Sequence, residues 1–532
     1  MATAVLMAFC GCRKPEPAVP PPVTPAPDAI VRLHWEGKRR LNLTAEAYYF
    51  TRIWDAPAAV RLQAQTFDKL ATAPWRIHFG EALATQIPAG IVRPLLDDLV
   101  GEESYLEVRA PTNGPMELAF ALHVNPSRAG IWQTNFGVAA QLFAGSAPVP
   151  NPAESGWVIR RTNAPNQVRL SRVGDWTLVG VGPENNQLYA EIAARLRQYS
   201  VPVPPGATNY WLDANVDLAR VATTFHLKLP VLDAATAPKV TLLVNGDGGN
   251  VITRCQLDFP MALPVDLEPW TIPTALIHEP LTTFTAVRGF RPWLAASQWW
   301  QELPPGAVPN QAFFWGLSSG STREYFAAPK TDAGPWMNQL TQQLLSKGNP
   351  WLSQRGYVSF DPLPTGDGVS WGRQANLLPF LKSVNTPAGA YIYAGLFPDT
   401  DGATNAPAPE GMIQDVLHRP NLLYYDWELT GSRLESWFYL SQLGREVSRH
   451  ALLPNDSASA AWLGTLLPRL GTSATIISAS GTNQLSLLRK SNFGLTAPEL
   501  HLLADWLESP RFPLGLYSLL TPPASAPANS GQ

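Results

Sequence analysis

The residues best placed for nucleophilic chemistry lie in the segment Gly316-Leu317-Ser318-Ser319-Gly320. It matches the G-x-S-x-G pattern, in which a strand leads into a sharp turn that exposes the serine and a helix follows. Residues 311–317 have the apolar pattern of the required strand, but residues 321–326 also resemble a strand. The sequence therefore favours a hairpin turn, and a hydrolase that uses Ser318 is kept as the alternative.

A second candidate site contains the acids Asp399, Asp401 and Glu410, which take the first, third and twelfth positions of a calcium-binding loop. The glycine that such a loop needs at its sixth position comes here at the fourth, as Gly402, and two prolines interrupt the segment. We therefore favour a proline-rich surface loop, with calcium binding as the alternative.

Paired carboxylates and histidines are the remaining groups that could work as acids, bases or metal ligands. Asp97-Asp98 and Glu102-Glu103 flank the end of an apolar helix pattern, which favours a solvated helix end over a general acid–base pair. No two of the eight histidines lie three to five residues apart, so the sequence contains no HExxH or related helical zinc motif. We predict no cofactor.

Tryptophan is the residue type in excess, with 19 copies, and Trp299-Trp300 is the one adjacent pair. Exposed indole rings can stack on sugars or bury area against a partner protein. Packing inside several small hydrophobic cores explains the same excess. Trp299 and Trp300 are therefore candidate binding residues, with a core role as the alternative.

Composition excludes some classes of protein. The 532 residues include 39 basic and 42 acidic side chains, for a formal net charge of −3. Nucleic-acid affinity comes mostly from basic side chains that neutralise phosphates, so we do not expect a nucleic-acid partner. Hydrophobic residues make up 45%, enough to bury several cores, so the chain is not expected to be disordered throughout.

The N-terminus indicates the location of the protein. Residues 4–9 form a short apolar run, too short to span a bilayer as a helix, and Gly11-Cys12 follows. A small residue before a cysteine resembles the bacterial lipoprotein signal, which implies cleavage before Cys12 and a lipid on its thiol. Residues 15–27 are rich in proline, which favours an extended spacer. We therefore expect an anchored protein of the bacterial cell envelope, with a cytosolic protein as the alternative.

Cysteine usage agrees with this interpretation. Once Cys10 leaves with the signal and Cys12 carries lipid, Cys255 remains alone in a strand-like run, where it is expected to act as a small buried hydrophobe. Neither a disulfide framework nor a cysteine-based metal site can then form.

Along the body of the chain, strand and helix patterns alternate. The main predicted strands are 29–35, 104–109, 117–124, 157–162, 168–172, 175–181, 422–429, 473–480 and 484–489. The main predicted helices are 58–73, 91–100, 127–143, 186–199, 432–450, 458–467 and 497–507. Hairpins that alternate with helices predict an α+β fold, in repeated modules of antiparallel β-sheet packed with helices.

Three modules are expected from the linkers and from similar element orders. A Pro/Gly turn precedes an aromatic strand at residues 205–212, 305–315 and 387–393, which indicates a degenerate internal repeat. The expected division is a signal at 1–12, a linker at 13–28, α+β modules at 29–200, 201–385 and 386–520, and a disordered tail at 521–532.

Several short phrases in the first third are distinctive, among them Leu33-His34-Trp35, Thr66-Phe67-Asp68-Lys69-Leu70 and Ala73-Pro74-Trp75. This third resembles a group of uncharacterised, predicted-exported proteins of Verrucomicrobia-like bacteria. The resemblance implies residence at the surface or in the periplasm and implies no activity.

Together these observations favour a lipid-anchored envelope protein that works as a binding or structural module for an envelope protein or polymer. The alternatives are an envelope serine hydrolase that uses Ser318 and a carbohydrate-binding protein that uses exposed tryptophans.

Overall fold

The computed structural model describes residues 28–80, 89–160, 166–203, 210–227, 234–317, 323–354, 356–372, 378–396, 407–448, 453–454 and 456–519. Within them, one antiparallel sheet of twenty strands is packed with helices. The predicted α+β class is confirmed.

For the elements predicted from hydrophobic spacing and turn residues, most boundaries lie within a few residues of those observed. The strands are β1 Ala29–Trp35, β2 Ser104–Arg109, β3 Glu117–His123, β4 Val149–Asn151, β5 Gly156–Arg160, β6 Gln167–Val173, β7 Trp176–Gly182, β8 Leu212–Asp217, β9 Lys239–Gly246, β10 Val251–Asp258, β11 Leu281–Arg288, β12 Gln311–Leu317, β13 Glu324–Pro329, β14 Phe360–Pro362, β15 Gly368–Trp371, β16 Phe380–Thr386, β17 Gly389–Gly395, β18 Leu422–Leu429, β19 Thr472–Gly481 and β20 Gln484–Ser491.

The helices are α1 Lys38–Leu41, α2 Tyr48–Trp54, α3 Pro57–Phe79, α4 Ala89–Gly101, α5 Pro126–Ile131, α6 Gly137–Ala144, α7 Gln187–Tyr199, α8 Leu218–Phe225, α9 Arg291–Ala296, α10 Gln298–Gln301, α11 Ala333–Gln343, α12 Asn349–Ser353, α13 Glu410–Leu417, α14 Thr430–Ser448, α15 Ala458–Leu466 and α16 Ala497–Glu508. Two π-helical turns, Trp132–Phe136 and Leu344–Gly348, follow α5 and α11.

Local chemistry explains where several helices begin. The side chains of Asn125, Asn186 and Ser457 accept hydrogen bonds from backbone N–H groups in the first turns of α5, α7 and α15. These groups have no partner inside the helix, so a side-chain acceptor at the cap satisfies them. At α16 the Glu499 carboxylate accepts from the backbone N–H of Thr496 at 2.8 Å and completes a capping box.

The order of the strands across the sheet shows an internal duplication. Pairing runs β4-β5-β6-β7-β3-β2-β1-β8-β9-β10 and continues as β20-β19-β18-β11-β12-β13-β17-β16-β15-β14. Adding ten to each strand number of the first half gives the second half in reverse order. Residues 29–258 and 281–491 therefore form two units of the same topology, joined where β10 pairs antiparallel with β20.

This duplication differs from the repeat that the sequence motif suggested. The three aromatic segments lie just before and in β8, in β12 and in β17, which hold three different places within a unit. A turn before an aromatic strand is common in sheets and so does not mark a repeat unit. The strands group into two units, and the junction at residues 259–280 falls inside the middle of the three expected modules.

Helices cover both faces of the sheet. One face, called face A, carries Leu122, Ile159 and Ile392, and packs against α3–α6 in the first unit and α11 in the second. The opposite face, face B, packs Leu178 against α7, and in the second unit its aromatic residues pack against α13. Helices α2 and α3 share a buried cluster with α14, α15 and α16, so this helical layer joins the two units.

Candidate functional site: an apolar pocket in the second unit

Several candidates from the sequence lie outside the described residues, namely Cys12, Ser318, Asp399 and Asp401. Glu410 is described and is the first residue of α13. On either side of Ser318, β12 ends at Leu317 and β13 begins at Glu324, and the two strands pair antiparallel. Two antiparallel strands on either side of the segment are what the hairpin interpretation requires, whereas a nucleophile elbow needs a helix on its C-terminal side.

Trp299 and Trp300 lie together on the short helix α10. Trp299 is 58% exposed, and its ring meets Trp300 edge to face with 5.7 Å between the ring centroids. Trp300 stacks nearly parallel on the buried Trp336 of α11, with 6.0 Å between centroids and an interplanar angle of 11°. One residue of the pair therefore contributes to a core, and the other presents its ring at the surface.

The Trp300–Trp336 stack forms one wall of a cavity of about 510 Å³. The floor is face A of β13 to β17, and α10, α11 and the π-helical turn at 344–348 enclose the sides. Phe326, Phe360 and Trp371 contribute further aromatic surface. Its volume falls within the range of about 300–1,000 Å³ that is usual for small-molecule sites.

Two of the four indole N–H groups in the wall of this cavity are already in use. Trp336 Nε1 donates to the carbonyl of Pro304 at 2.9 Å, and Trp371 Nε1 donates to the carbonyl of Val358 at 2.8 Å. These two rings therefore offer carbon surface to a ligand while their polar edges are satisfied by the protein.

Lys330 is the charged residue in the wall, and its side chain is completely buried. Its ammonium donates to the carbonyl of Ala307, lies 2.9 Å from Asp332 Oδ1 and sits 4.9 Å from the centre of the Trp336 ring. Burial by itself raises the pKa of Asp332, but hydrogen bonds from Lys330 and from the Ala307 backbone lower that pKa overall. The ion pair is thus compensated within the protein.

A second buried polar group, on face A beneath α14, was not identified from the sequence. Arg433 donates to both Asp426, at 2.9 Å, and Glu428, at 2.8 Å, and the backbone N–H of Ala497 donates to Glu428. Burial raises the pKa of Glu428, and the charge of Arg433 opposes that shift. Alternating polar and apolar residues in β18 are the sequence signal that could have placed these acids on one face. Every contact in this group is internal, which is typical of a structural ion-pair network.

The paired carboxylates from the sequence have different environments. Asp97 is half exposed, as expected of a solvated helix end, but Asp98 is buried, and the expectation of solvation is wrong for it. Asp98 accepts hydrogen bonds from Arg128 and from Trp132 Nε1 at 2.9 Å, and so ties α4 to the segment after β3. Glu102 pairs with Arg39, and Glu103 lies 2.9 Å from His34 Nε2.

The described part of the chain lacks two features that would indicate metal binding or a membrane span. There, no cluster of three or more His, Cys, Asp or Glu side chains could hold a metal ion. Among the same residues, no helix combines the length and the apolar character needed to cross a membrane. Cys255 is half buried in β10, and burial raises its pKa.

Comparisons with protein-family models, with curated proteins and with solved structures give no match.

Proposed function

We propose that this protein is a binding module of the bacterial cell envelope that takes an aliphatic hydrocarbon chain in the pocket between α10, α11 and β13–β17. The observation that carries the proposal is the wall of the pocket: its lining side chains are apolar apart from Lys330, and Trp336 and Trp371 direct their N–H groups into the protein. Burial of a hydrocarbon chain against such a surface is favourable, at about 25 cal/mol per Å² removed from water.

The same wall favours a hydrocarbon over a sugar. A sugar site needs hydrogen-bond partners around the ring face that stacks on tryptophan, because each hydroxyl that leaves water must be compensated. Lys330 is the charged group available here, and its ammonium already has the Ala307 carbonyl, Asp332 and the face of the Trp336 ring as partners. A sugar could stack on the exposed Trp299 alone, which gives a shallow contact.

A lipid on Cys12 would hold this module at a membrane, where molecules with hydrocarbon chains are concentrated. The support for this part of the proposal is the Gly11-Cys12 sequence and the proline-rich spacer at 15–27. A binding role also agrees with the internal compensation of the carboxylates described above, since a catalytic acid or base must be free to reach a substrate.

Fluorescence titration tests the pocket. N-phenyl-1-naphthylamine, an uncharged probe that fluoresces in apolar sites, is titrated into the protein and then displaced with 1-chlorooctane. Leu381 lies in the cavity wall and is half buried, so Leu381→Trp fills the space from the β16 side. We expect this variant to lose one probe site.

The matched control is Leu502→Trp, which adds the same indole at a position on α16 that is 54% exposed and outside the cavity. It is expected to bind as the wild type does. An unchanged number of probe sites in folded Leu381→Trp protein, verified by circular dichroism, contradicts the proposal.

A further inference from the structure

The first unit contains a second cavity, of about 460 Å³, at the corresponding place on face A. It lies between the helices α3, α4 and α6 and the strands β5–β7 of the first unit. The pocket described above lies in the same way beside α11 and β15–β17 of the second unit. The row Ile159, Val168 and Val181 crosses β5, β6 and β7, and the row Val369, Leu381 and Ala394 crosses β15, β16 and β17. In both units a π-helical turn adjoins the helix beside the cavity.

The second cavity differs from the first in its polar atoms. Trp75 is completely buried, and its Nε1 has no hydrogen-bond partner among the described residues. The Oδ1 atom of Asn166 is also buried and unpartnered within that part of the chain. Both side chains line the cavity. A buried donor and a buried acceptor without partners are unfavourable in an empty site, so each observation points to a ligand that completes them.

The ring of Trp75 is held in place. It stacks on Phe143 with 4.6 Å between the centroids and an interplanar angle of 15°. Its donor therefore has a fixed position, which is what selective hydrogen bonding to a ligand requires.

We infer that this cavity is a second ligand site, which takes an aliphatic chain ending in a neutral group that both accepts and donates a hydrogen bond, such as a hydroxyl. Trp75 Nε1 donates to the head group, and Asn166 Oδ1 accepts from it. The lining residues include no charged side chain, so an ionised carboxylate would lose its hydration without compensation. The binding of two aliphatic ligands by one protein rests on the proposed function. The preference of this site for a polar head group rests on Trp75 and Asn166 alone.

The number of sites is the first test. Val168 is half buried in the cavity wall and corresponds in position to Leu381, so Val168→Trp is the matched filling variant. Wild-type protein is expected to bind two molecules of N-phenyl-1-naphthylamine per chain, each single variant one, and the double variant none. If Leu381→Trp loses a site and folded Val168→Trp does not, the inference fails while the proposed function stands. If only Val168→Trp loses a site, the proposed function fails instead.

The head group is the second test, and it uses the Leu381→Trp background so that only the second cavity is measured. Probe displacement is compared for 1-octanol and for 1-chlorooctane, which is similar in size but lacks the O–H group. Trp75→Phe keeps an aromatic ring and removes the donor. We expect it to weaken 1-octanol binding threefold to tenfold more than 1-chlorooctane binding. Equal effects on the two ligands would show that Trp75 has only a packing role, and would overturn the inference.

Discussion

Arg433 on α14 and Glu428 on β18 form a buried ion pair, with 2.8 Å between Arg433 Nη1 and Glu428 Oε2. The Glu428 carboxylate has no exposed surface, and its other oxygen accepts from the backbone N–H of Ala497 at the start of α16. One carboxylate thus connects the sheet to two helices of the layer that joins the units.

Replacement of Arg433 by methionine is therefore expected to be strongly destabilising. It leaves Asp426 and Glu428 buried without their cation, and breaking such a pair costs about 3–5 kcal/mol. Urea denaturation at pH 7 measures the loss. The control is Arg160→Met, because Arg160 and Glu184 form a mostly exposed pair that should contribute less than about 1 kcal/mol. Similar losses of unfolding free energy in the two variants would show that the buried pair contributes no more to stability than the exposed pair.

Glu324 at the start of β13 gives a prediction about pH. Burial raises the pKa of this carboxyl, while the charge of Arg433 and a hydrogen bond from Thr283 oppose the shift. A raised pKa means that the folded protein holds the proton more tightly than the unfolded chain. The stabilising contribution of this group is therefore fully present below the pKa of the unfolded chain, near 4.5. It is lost as the pH rises through the pKa of the folded protein.

Glutamine cannot ionise, so Glu324→Gln should remove this loss of stability at higher pH. Thermal unfolding of the variant is expected to match the wild type near pH 4 and to occur at a higher temperature at pH 7. Glu184→Gln, at an exposed position, is the control for a simple change of net charge. A variant that is less stable than the wild type at pH 7 would show that the ionised carboxylate contributes favourably.

Two glycines hold the same place in the two units and give a prediction about packing. Gly156 begins β5 and Gly368 begins β15, and a Cβ added at either would lie 1.8 or 2.1 Å from a carbonyl oxygen of the neighbouring strand. Gly156→Ala and Gly368→Ala should each push strands apart, with losses of at least about 1–3 kcal/mol, the usual cost of overpacking.

The control for the glycines is Gly464→Ala in α15, where an added Cβ meets nothing within 4 Å. Alanine is the better helix former, so this variant should gain about 0.5–1 kcal/mol. Chemical denaturation of the three variants measures these differences. If the Gly368→Ala variant is as stable as the wild type, β15 can move away from β16 without a loss of stability.

Cys12 gives a prediction about where the protein is located in the cell. Cys12→Ser should abolish incorporation of labelled fatty acid and release the protein from the membrane fraction of the native host. Cys255→Ser, which changes the half-buried cysteine of β10, serves as the control for loss of a thiol. Membrane association that survives Cys12→Ser would contradict the lipid anchor.

The amino-acid sequence by itself determined the local structure. Alternating apolar residues placed β1 at Ala29–Trp35 and β18 at Leu422–Leu429, and helical spacing placed α7 and α16, because backbone geometry fixes these periods within one element. It also identified Trp299 and Trp300 as candidates for binding, although not the cavity beside them.

Only the tertiary structure decided which elements are neighbours. The pairing of β10 with β20, the two units of ten strands and the cavities on face A depend on contacts between residues far apart in the chain. The same holds for Trp75 and Asn166, which are far apart in the chain and yet line one cavity. Periodicity in a single chain records which face of an element is buried but not what buries it, so these relationships became visible only in the folded protein.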